Sequence, residues 1–460
     1  MSRGFRDWDV EQVWLLPPSV QELVPEGHSA HLVRDLVRES LDLSAIFASY
    51  RRERGSPPFN PVMMTALLLY AYTQGVFSSR KIAKACEERL DFMAVTGMQK
   101  PEHRTICDFR KRHLVALGGL FVQVLRVCQR MGLVKLGHVA LDGTKVKANA
   151  SKHKAMSYER MQRAAPELAA AVQQWLSQAE EQDATEDTKH GAERRGDELP
   201  DHIVKKQQRL EKIREAKAAL EAEAAAEAKA REQDRRDAGA AKERGEAPPT
   251  PRVKHPRHHV DGTPDPKAQR NFTDPESKLL KTQDGYVQGY NAQAAVDASS
   301  QVIVAEMVTR EQNDGGALVP MLERIKQNTG RQTRELSADT GYCSEDNLRA
   351  LSRRRIRGYV ATGRLRHGSS TPSPQLGRTP GTRTHAMRLR LRRGGFRSRY
   401  RLRKQVVEPV FGQVKSAMGF RSFLLRGLKQ VSEEWRLICT AHNLRKLLPL
   451  LGRAALALAR

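Results

Sequence analysis

Apolar residues recur at three- and four-residue steps through MTALLLYAYTQGVFSSRKIAKACEERLDFMAVTG, broken by Gly75 and Gly97. That period predicts α-helices as far as about Val134. Two short elements in this region carry bases along one side: RKIAKACEERL after Ser78-Ser79, and HRTICDFRKRH after Glu102. Such a pair reads either as a helix-turn-helix facing DNA or as part of a helical bundle with a solvated basic face.

The period changes at LVKLGHVALDGTKVKANAS, where Val139, Leu141 and Val146 predict a strand ending in a turn at Asp142-Gly143-Thr144. From about Lys154 to Glu232 the chain turns polar and helical, densest in VKKQQRLEKIREAKAALEAEAAAEAKARE. Gly191, Gly196 and Pro200 interrupt it, which predicts a helical hairpin. Ala238–Arg270 is charged and rich in Pro and Gly, as expected of a loose loop. Two β-rich runs, Tyr286–Val296 and Val302–Thr309, flank the turn residues Asp297-Ala298-Ser299-Ser300 and predict a hairpin. A helix over Leu318–Asn328 follows, then a strand ending at Asp339, a turn, a helix, and a strand in IRGYVATGR. A Pro/Gly/Arg-rich loop is expected from about His367 to Gly395, and a final helical segment from about Val407 to the end. This order describes an α/β layout with a mixed sheet interrupted by an insertion.

Charge adds a partner class. The formal net charge is +26, and Leu351–Arg460 holds 26 Lys/Arg against three acids, so nearly all the excess sits in the last quarter. A basic surface of that density implies a polyanion, since neutralising phosphates releases counterions. The five cysteines are scattered and never in a C-x-x-C spacing, which argues against a zinc site or a disulfide framework. No apolar run has the length of a signal or a membrane span, so a cytoplasmic, membrane-free setting is expected. The chain has no Walker A loop, no H-E-x-x-H and no G-x-S-x-G elbow.

Three acids stand out by position: Asp142 in ALDGT, Asp339 in SADTGY, and Glu408 in QVVEPVFGQVK. No acid occurs between Asn347 and Val407, so Glu408 is alone at the end of a long basic run. Carboxylates at strand ends can bind Mg²⁺, whose remaining sites take water and phosphate oxygens. Each also has a plain reading. The aspartates could be turn formers, and Glu408 could be an acid near a helix start with Pro409 in the first turn. Lys415, two helical turns beyond Glu408, would share its face and meet a phosphate, or else be a solvated lysine.

Taken together and in order, these segments resemble the DDE transposases of bacterial insertion sequences. PFNPVMMTALLLYAYTQGVFSSRKIAKACEERLDF and EHRTICDFRKRH are similar to the family's helical N-terminal domain, and HVALDGTKVKANAS to its first catalytic strand. DPESKLLKTQDGYVQGYNAQAAVD and SADTGYCSEDNL resemble the segments of the hairpin and of the second aspartate. VEPVFGQVKSAMGFRSFLLRGLKQVSEEWRLICTAHNLRKLL is the strongest likeness. The resemblance implies an RNase H-like mixed-sheet core with a helical insertion after the first strand, preceded by an all-α domain. Residues 1–134 would be the DNA-binding domain, and 135–153 with 272–450 the catalytic core. Residues 154–271 would be the insertion and 366–399 a basic loop.

The same resemblance implies that Asp142, Asp339 and Glu408 bind two Mg²⁺ ions, with Mn²⁺ as a possible substitute. It places Tyr400, Arg403, Lys404 and Lys415 in the Y-R-E-K signature that contacts DNA. The Glu-x6-Lys spacing fits, but Tyr400 sits one position early and Lys404 stands where that register expects Arg. The implied partners are double-stranded DNA, as terminal inverted repeats and target, and a second protomer in a synaptic complex. The alternatives are an RNase H-fold nuclease without strand transfer and a non-catalytic basic DNA-binding protein.

Overall fold

The computed structural model describes residues 19–50, 57–190, 201–244, 262–282, 285–363, 379–394 and 397–458. Seven of the described helices precede the first strand: α1 (Ser29–Ser40), α2 (Ser44–Phe47), α3 (Pro61–Thr73), α4 (Ser79–Glu88), α5 (Leu90–Thr96), α6 (His103–Arg112) and α7 (Leu114–Arg130). Asn60 caps α3 by accepting the Val62 N–H at 2.8 Å, and Pro61 fills the first position, where no N–H is needed. Nearly every α3 side chain is buried, as its uninterrupted apolar sequence requires.

Strand β1 (His138–Lys147) leads into the insertion, made of β2 (Ala155–Ser157), the long helices α8 (Tyr158–His190) and α9 (Asp201–Glu243), and β3 (Gln269–Asn271). Then follow β4 (Lys278–Thr282), β5 (Gly285–Asp297), β6 (Ile303–Thr309), α10 (Leu318–Thr329), β7 (Glu335–Ala338), α11 (Glu345–Arg353) and β8 (Arg357–Val360). The chain closes with α12 (Arg383–Gly394), α13 (Leu402–Gly412) and α14 (Leu428–Leu458). The main sheet runs β4-β5-β1-β7-β8, with β6 beside β4 on the same edge of β5. β1 pairs antiparallel with β5 and parallel with β7, and β7 pairs parallel with β8. This is the RNase H-like mixed sheet that the resemblance implied, with the insertion following its first strand.

Several local expectations are corrected. β1 does not turn at Asp142-Gly143-Thr144, because the ladder with β5 continues through Asp142↔Ala294, Gly143↔Gln293 and Thr144↔Ala292. The expected loop at Ala238–Arg270 is ordered at both ends: α9 runs to Glu243, and β3 pairs with β2, while 245–261 lie outside the described residues. The expected loop from His367 to Gly395 contains α12, with 364–378 and 395–396 outside the described residues. Glu345 accepts the N–H groups of Arg383 (3.0 Å) and Thr384 (2.9 Å) and so caps α12 from outside. Arg390 then ties the helix to the Gly358 carbonyl at 3.1 Å, with Met387 buried beneath.

The last correction concerns Glu408 and Pro409. α13 begins at Leu402, so Pro409 lies inside the helix rather than in its first turn. A proline there leaves the Gln405 carbonyl without its helical donor. The Gln301 side chain fills the gap, donating to Gln405 O at 3.1 Å. The segment is also not helical to the end, because a crossing at 418–427 separates α13 from α14. Gly419 and Gly427, at φ of +75° and +81°, bound it.

The N-terminal helices and the sheet share one hydrophobic core, in which α7 packs on α14 and Trp435 is fully buried. The insertion has its own small core around Met156, Met161 and Ile213, and α8 and α9 pack as the expected hairpin.

Glu434, 1% exposed on α14, holds the crossing by accepting the N–H groups of Leu424 (3.0 Å) and Leu425 (2.9 Å). Burial pushes its carboxyl up from 4.5 to about 7, against the pull of those two N–H groups. A raised acid binds its proton more tightly folded than unfolded, so its contribution is full below pH 4.5 and is lost as pH rises to 7. Glu434→Gln should therefore flatten the decline in stability between pH 5 and 8, by at most about 3 kcal/mol. Thermal melts of both proteins at the two pH values check this.

Candidate active site

Parallel pairing places the first two acids side by side. Leu141 is in register with Ala338, so Asp142, the next residue of β1, and Asp339, the first residue after β7, leave the same end of that parallel pair. Asp339 also caps the turn Thr340–Tyr342, accepting the Gly341 N–H at 2.8 Å. α13 packs across β1, β5 and β7 and brings in the third acid. Arg403 donates from Nη1 to Asp142 Oδ2 at 2.5 Å and from Nη2 to Glu408 Oε1 at 3.0 Å. One guanidinium thus bridges acids 266 residues apart in the chain.

Asp142 is the electrostatic centre. Burial pushes its carboxyl up to about 7, even though Arg403 and the Gly143 N–H pull it down, because Asp339 and Asp314 add like charge. Asp314, in the turn after β6, is the carboxylate that sequence reasoning passes over. It accepts Asn291 Nδ2 at 2.6 Å and Gln293 Nε2 at 2.7 Å, and Lys145 Nζ lies 3.7 Å away. A Cβ on Gly341 would stand 3.1 Å from Asp339 Oδ1 and 3.3 Å from Asp314 Oδ2, so the two carboxylates flank that glycine. The signal in the sequence was Asn313-Asp314-Gly315-Gly316, an acid in a turn after a strand.

Gly143 is needed for close approach, not for a turn. A Cβ there would meet Gln293 Nε2 at 2.3 Å, Asp314 Oδ1 at 2.8 Å and Asn291 Oδ1 at 2.9 Å. Gln293 and Asn291 are themselves fully buried, so they have little room to give. Gly143→Ala should lose about 1–3 kcal/mol in denaturant titrations and weaken the catalytic activity by displacing Asp314.

The signature residues divide. The Tyr400 ring lies 6.0 Å from the Arg403 guanidinium, and burial raises its hydroxyl. Lys404 is exposed on the outer side of α13. The register that would favour Lys404 over Arg403 is therefore not the one the geometry uses. Lys415 falls in a π-helical turn, Gln413–Ala417, whose wider winding upsets the expected two-turn alignment with Glu408. Its ammonium donates to the Lys145 carbonyl at 3.0 Å, and burial lowers its pKa.

Of the expected DNA-facing pair, α4 and α6 pack together. Arg80, Lys81 and Lys84 on α4 and Arg104, Lys111 and Arg112 on α6 are exposed. Arg110 is not on that face: it is buried and donates to Tyr72 Oη at 3.2 Å and the Phe77 carbonyl at 2.9 Å.

The fold implies divalent cations. The donor set of carboxylate oxygens fits a hard cation in kind. Burial is the main reason that Asp142 is raised, with like charge from Asp339 and Asp314 adding to it, and Arg403 Nε is buried with no hydrogen-bond partner. As they stand, no three His, Cys, Asp or Glu side chains among the described residues converge closely enough to hold one ion. Arg403 stands between Asp142 and Glu408 instead.

A mixed sheet carries Asp142 within β1 and Asp339 just after β7, and α13 closes over it with Arg403 and Glu408. Residues 18–112 match a family model described as a transposase domain (DUF772), and residues 254–444 match one described as a transposase DDE domain. The chain belongs to the DDE transposases of the insertion-sequence kind. Asp339 and Glu408 lie inside the second match, whereas Asp142 lies between the two because the insertion follows it. No curated protein and no solved structure was found to match. Among the described residues no helix is long and apolar enough to cross a membrane.

Proposed function

We propose that this transposase cuts DNA at the terminal inverted repeats of its own element and joins the freed 3′-OH to target DNA. Asp142, Asp339 and Glu408 would hold two Mg²⁺ ions, with Mn²⁺ able to substitute. When bound, such ions activate an attacking oxygen and stabilise the leaving one in an in-line displacement at phosphorus. The observation that carries this reading is the register of β1 with β7 together with the Arg403 bridge to Glu408.

The chain's own residues orient the reaction. Asp142 and Asp339 are fixed by ladder and turn hydrogen bonds, and Glu408 is carried by α13. Arg403, flanked by Tyr400, is the cation nearest the carboxylates and would turn to a scissile or neighbouring phosphate as ions enter. Lys404 and Lys415 would hold flanking phosphates. The bases of α4 and α6 would grip the repeat, and action on two ends calls for two protomers.

Incubating the chain with a duplex ending in a recessed 3′-OH and a supercoiled target tests the reading against a nuclease. Joined products are expected with Mg²⁺. Hydrolysis products alone would favour the nuclease, and binding without either product would favour a non-catalytic DNA-binding protein.

A further inference from the structure

The geometry points to a second DNA-backbone site, in the insertion, at the base of the α8–α9 hairpin. It rests on the reading of the chain as a DNA-processing enzyme and gives the insertion a role in it. A concavity of about 490 Å³ opens there between the turn before β2, the start of α8 and one face of α9. Lys154 reaches it from the turn, Arg160 from α8, and Lys205, Arg209 and Lys212 from α9. Among the described residues no carboxylate lines it.

The pattern on α9 is one-sided. Lys205, Arg209 and Lys212 follow at i, i+4 and i+7 and share a face, while Glu211 and Glu215 fall elsewhere. The three span about 10 Å of helix axis, which matches roughly three successive phosphates of one DNA strand. Helix stability does not call for them, since cations gain from the macrodipole at the C-terminal end of a helix rather than near its start. Cations brought together from three elements repel one another, and a polyanion relieves that repulsion.

The floor is firm and partly apolar. Met156 belongs to the insertion's small core, and Phe272 packs against that core and lines the concavity. The Phe272 N–H donates to the Lys154 carbonyl at 3.0 Å, and β2 pairs with β3. Tyr290 donates to Asp274 at 2.8 Å, and the Gly427 N–H does so at 3.2 Å, which fixes the segment after β3 to the catalytic core. Arg310, just beyond β6, reaches Glu223 of α9 at 3.7 Å. The cleft therefore holds a set position relative to Asp142. Lys154 follows Asp142 by so few residues that even an extended chain spans only about 40 Å, little more than one turn of duplex. DNA cut at the carboxylates would reach this cleft.

The test is equilibrium binding of the full chain to a random-sequence duplex of about 40 base pairs, without divalent ions and across a series of salt concentrations. Arg209→Gln/Lys212→Gln should make the slope of log K against log salt shallower by about 2, and weaken binding about thirtyfold near 0.15 M salt. Arg214→Gln, a charge loss on the opposite face of α9, should leave slope and affinity essentially unchanged. Circular dichroism checks that the variants fold, as their exposed positions allow. Unchanged binding by the double variant would overturn the proposal, as would a loss from Arg214→Gln matching a single cleft substitution. In either case wild-type binding and strand transfer would stand. Failure of the wild-type chain to bind duplex at all would instead overturn the underlying reading.

Discussion

Asp142→Asn is expected to lower Mg²⁺-dependent DNA cleavage by on the order of 10³ or more while leaving DNA affinity unchanged. The substitution keeps shape and removes one charge at the residue where burial and two neighbouring acids already oppose ionisation. It should not unfold the protein. A buried acid raised to about 7 costs stability as pH rises through that value, so the asparagine variant should lose less melting temperature than wild type between pH 5 and 8, from a baseline lowered by the Arg403 charge that it strands. Cleavage of a labelled duplex, binding of the same duplex and thermal melts at pH 5 and 8 give the three readouts. Persistent cleavage would remove Asp142 from the site, and a collapse in stability would make it a structural residue.

Arg403→Gln should have the second largest effect, and chiefly on stability. The side chains of Arg403 and Asp142 are only 12% and 14% exposed, and removing one partner of such a pair leaves a charge stranded at about 3–5 kcal/mol. The arm to Glu408 adds little, because Glu408 is 47% exposed. Without the guanidinium, Asp142 keeps its proton to higher pH, so the penalty should be smaller at pH 6 than at pH 8. Divalent cations should restore more melting temperature to this variant than they add to wild type, since they replace the missing positive charge. Melts with and without Mn²⁺ at both pH values decide it. A variant that melts like wild type at pH 8 would show that the bridge contributes nothing.

Much of the catalytic core was legible in the sequence because strands and hairpins announce themselves locally. Val139, Leu141 and Val146 marked β1, and Asp297-Ala298-Ser299-Ser300 marked the β5–β6 connection. What failed depended on partners distant in the chain. Asp142-Gly143-Thr144 reads as a turn until β5 continues the ladder through it, and Arg383–Gly394 reads as a basic loop until Glu345 caps it. Pro409 reads as a helix start until Gln301 supplies the donor that the helix interior lacks. The acids Asp142, Asp339 and Glu408 stand out in the sequence by position, whereas Asp314 does not, because only the fold brings that turn to Gly341 and Gly143. The spacing around Glu408 favoured Lys404, whereas the length of an arginine lets Arg403 reach both carboxylates.

On the proposed function Asp142, Asp339 and Glu408 serve one site. Counting free Mn²⁺ by electron paramagnetic resonance during titration of the DNA-bound chain tests it most directly. Wild type should take up the ion, and Asp142→Asn, Asp339→Asn and Glu408→Gln should each weaken uptake on the order of tenfold or more. Three variants that bind Mn²⁺ as wild type does would show that these carboxylates do not share a metal site.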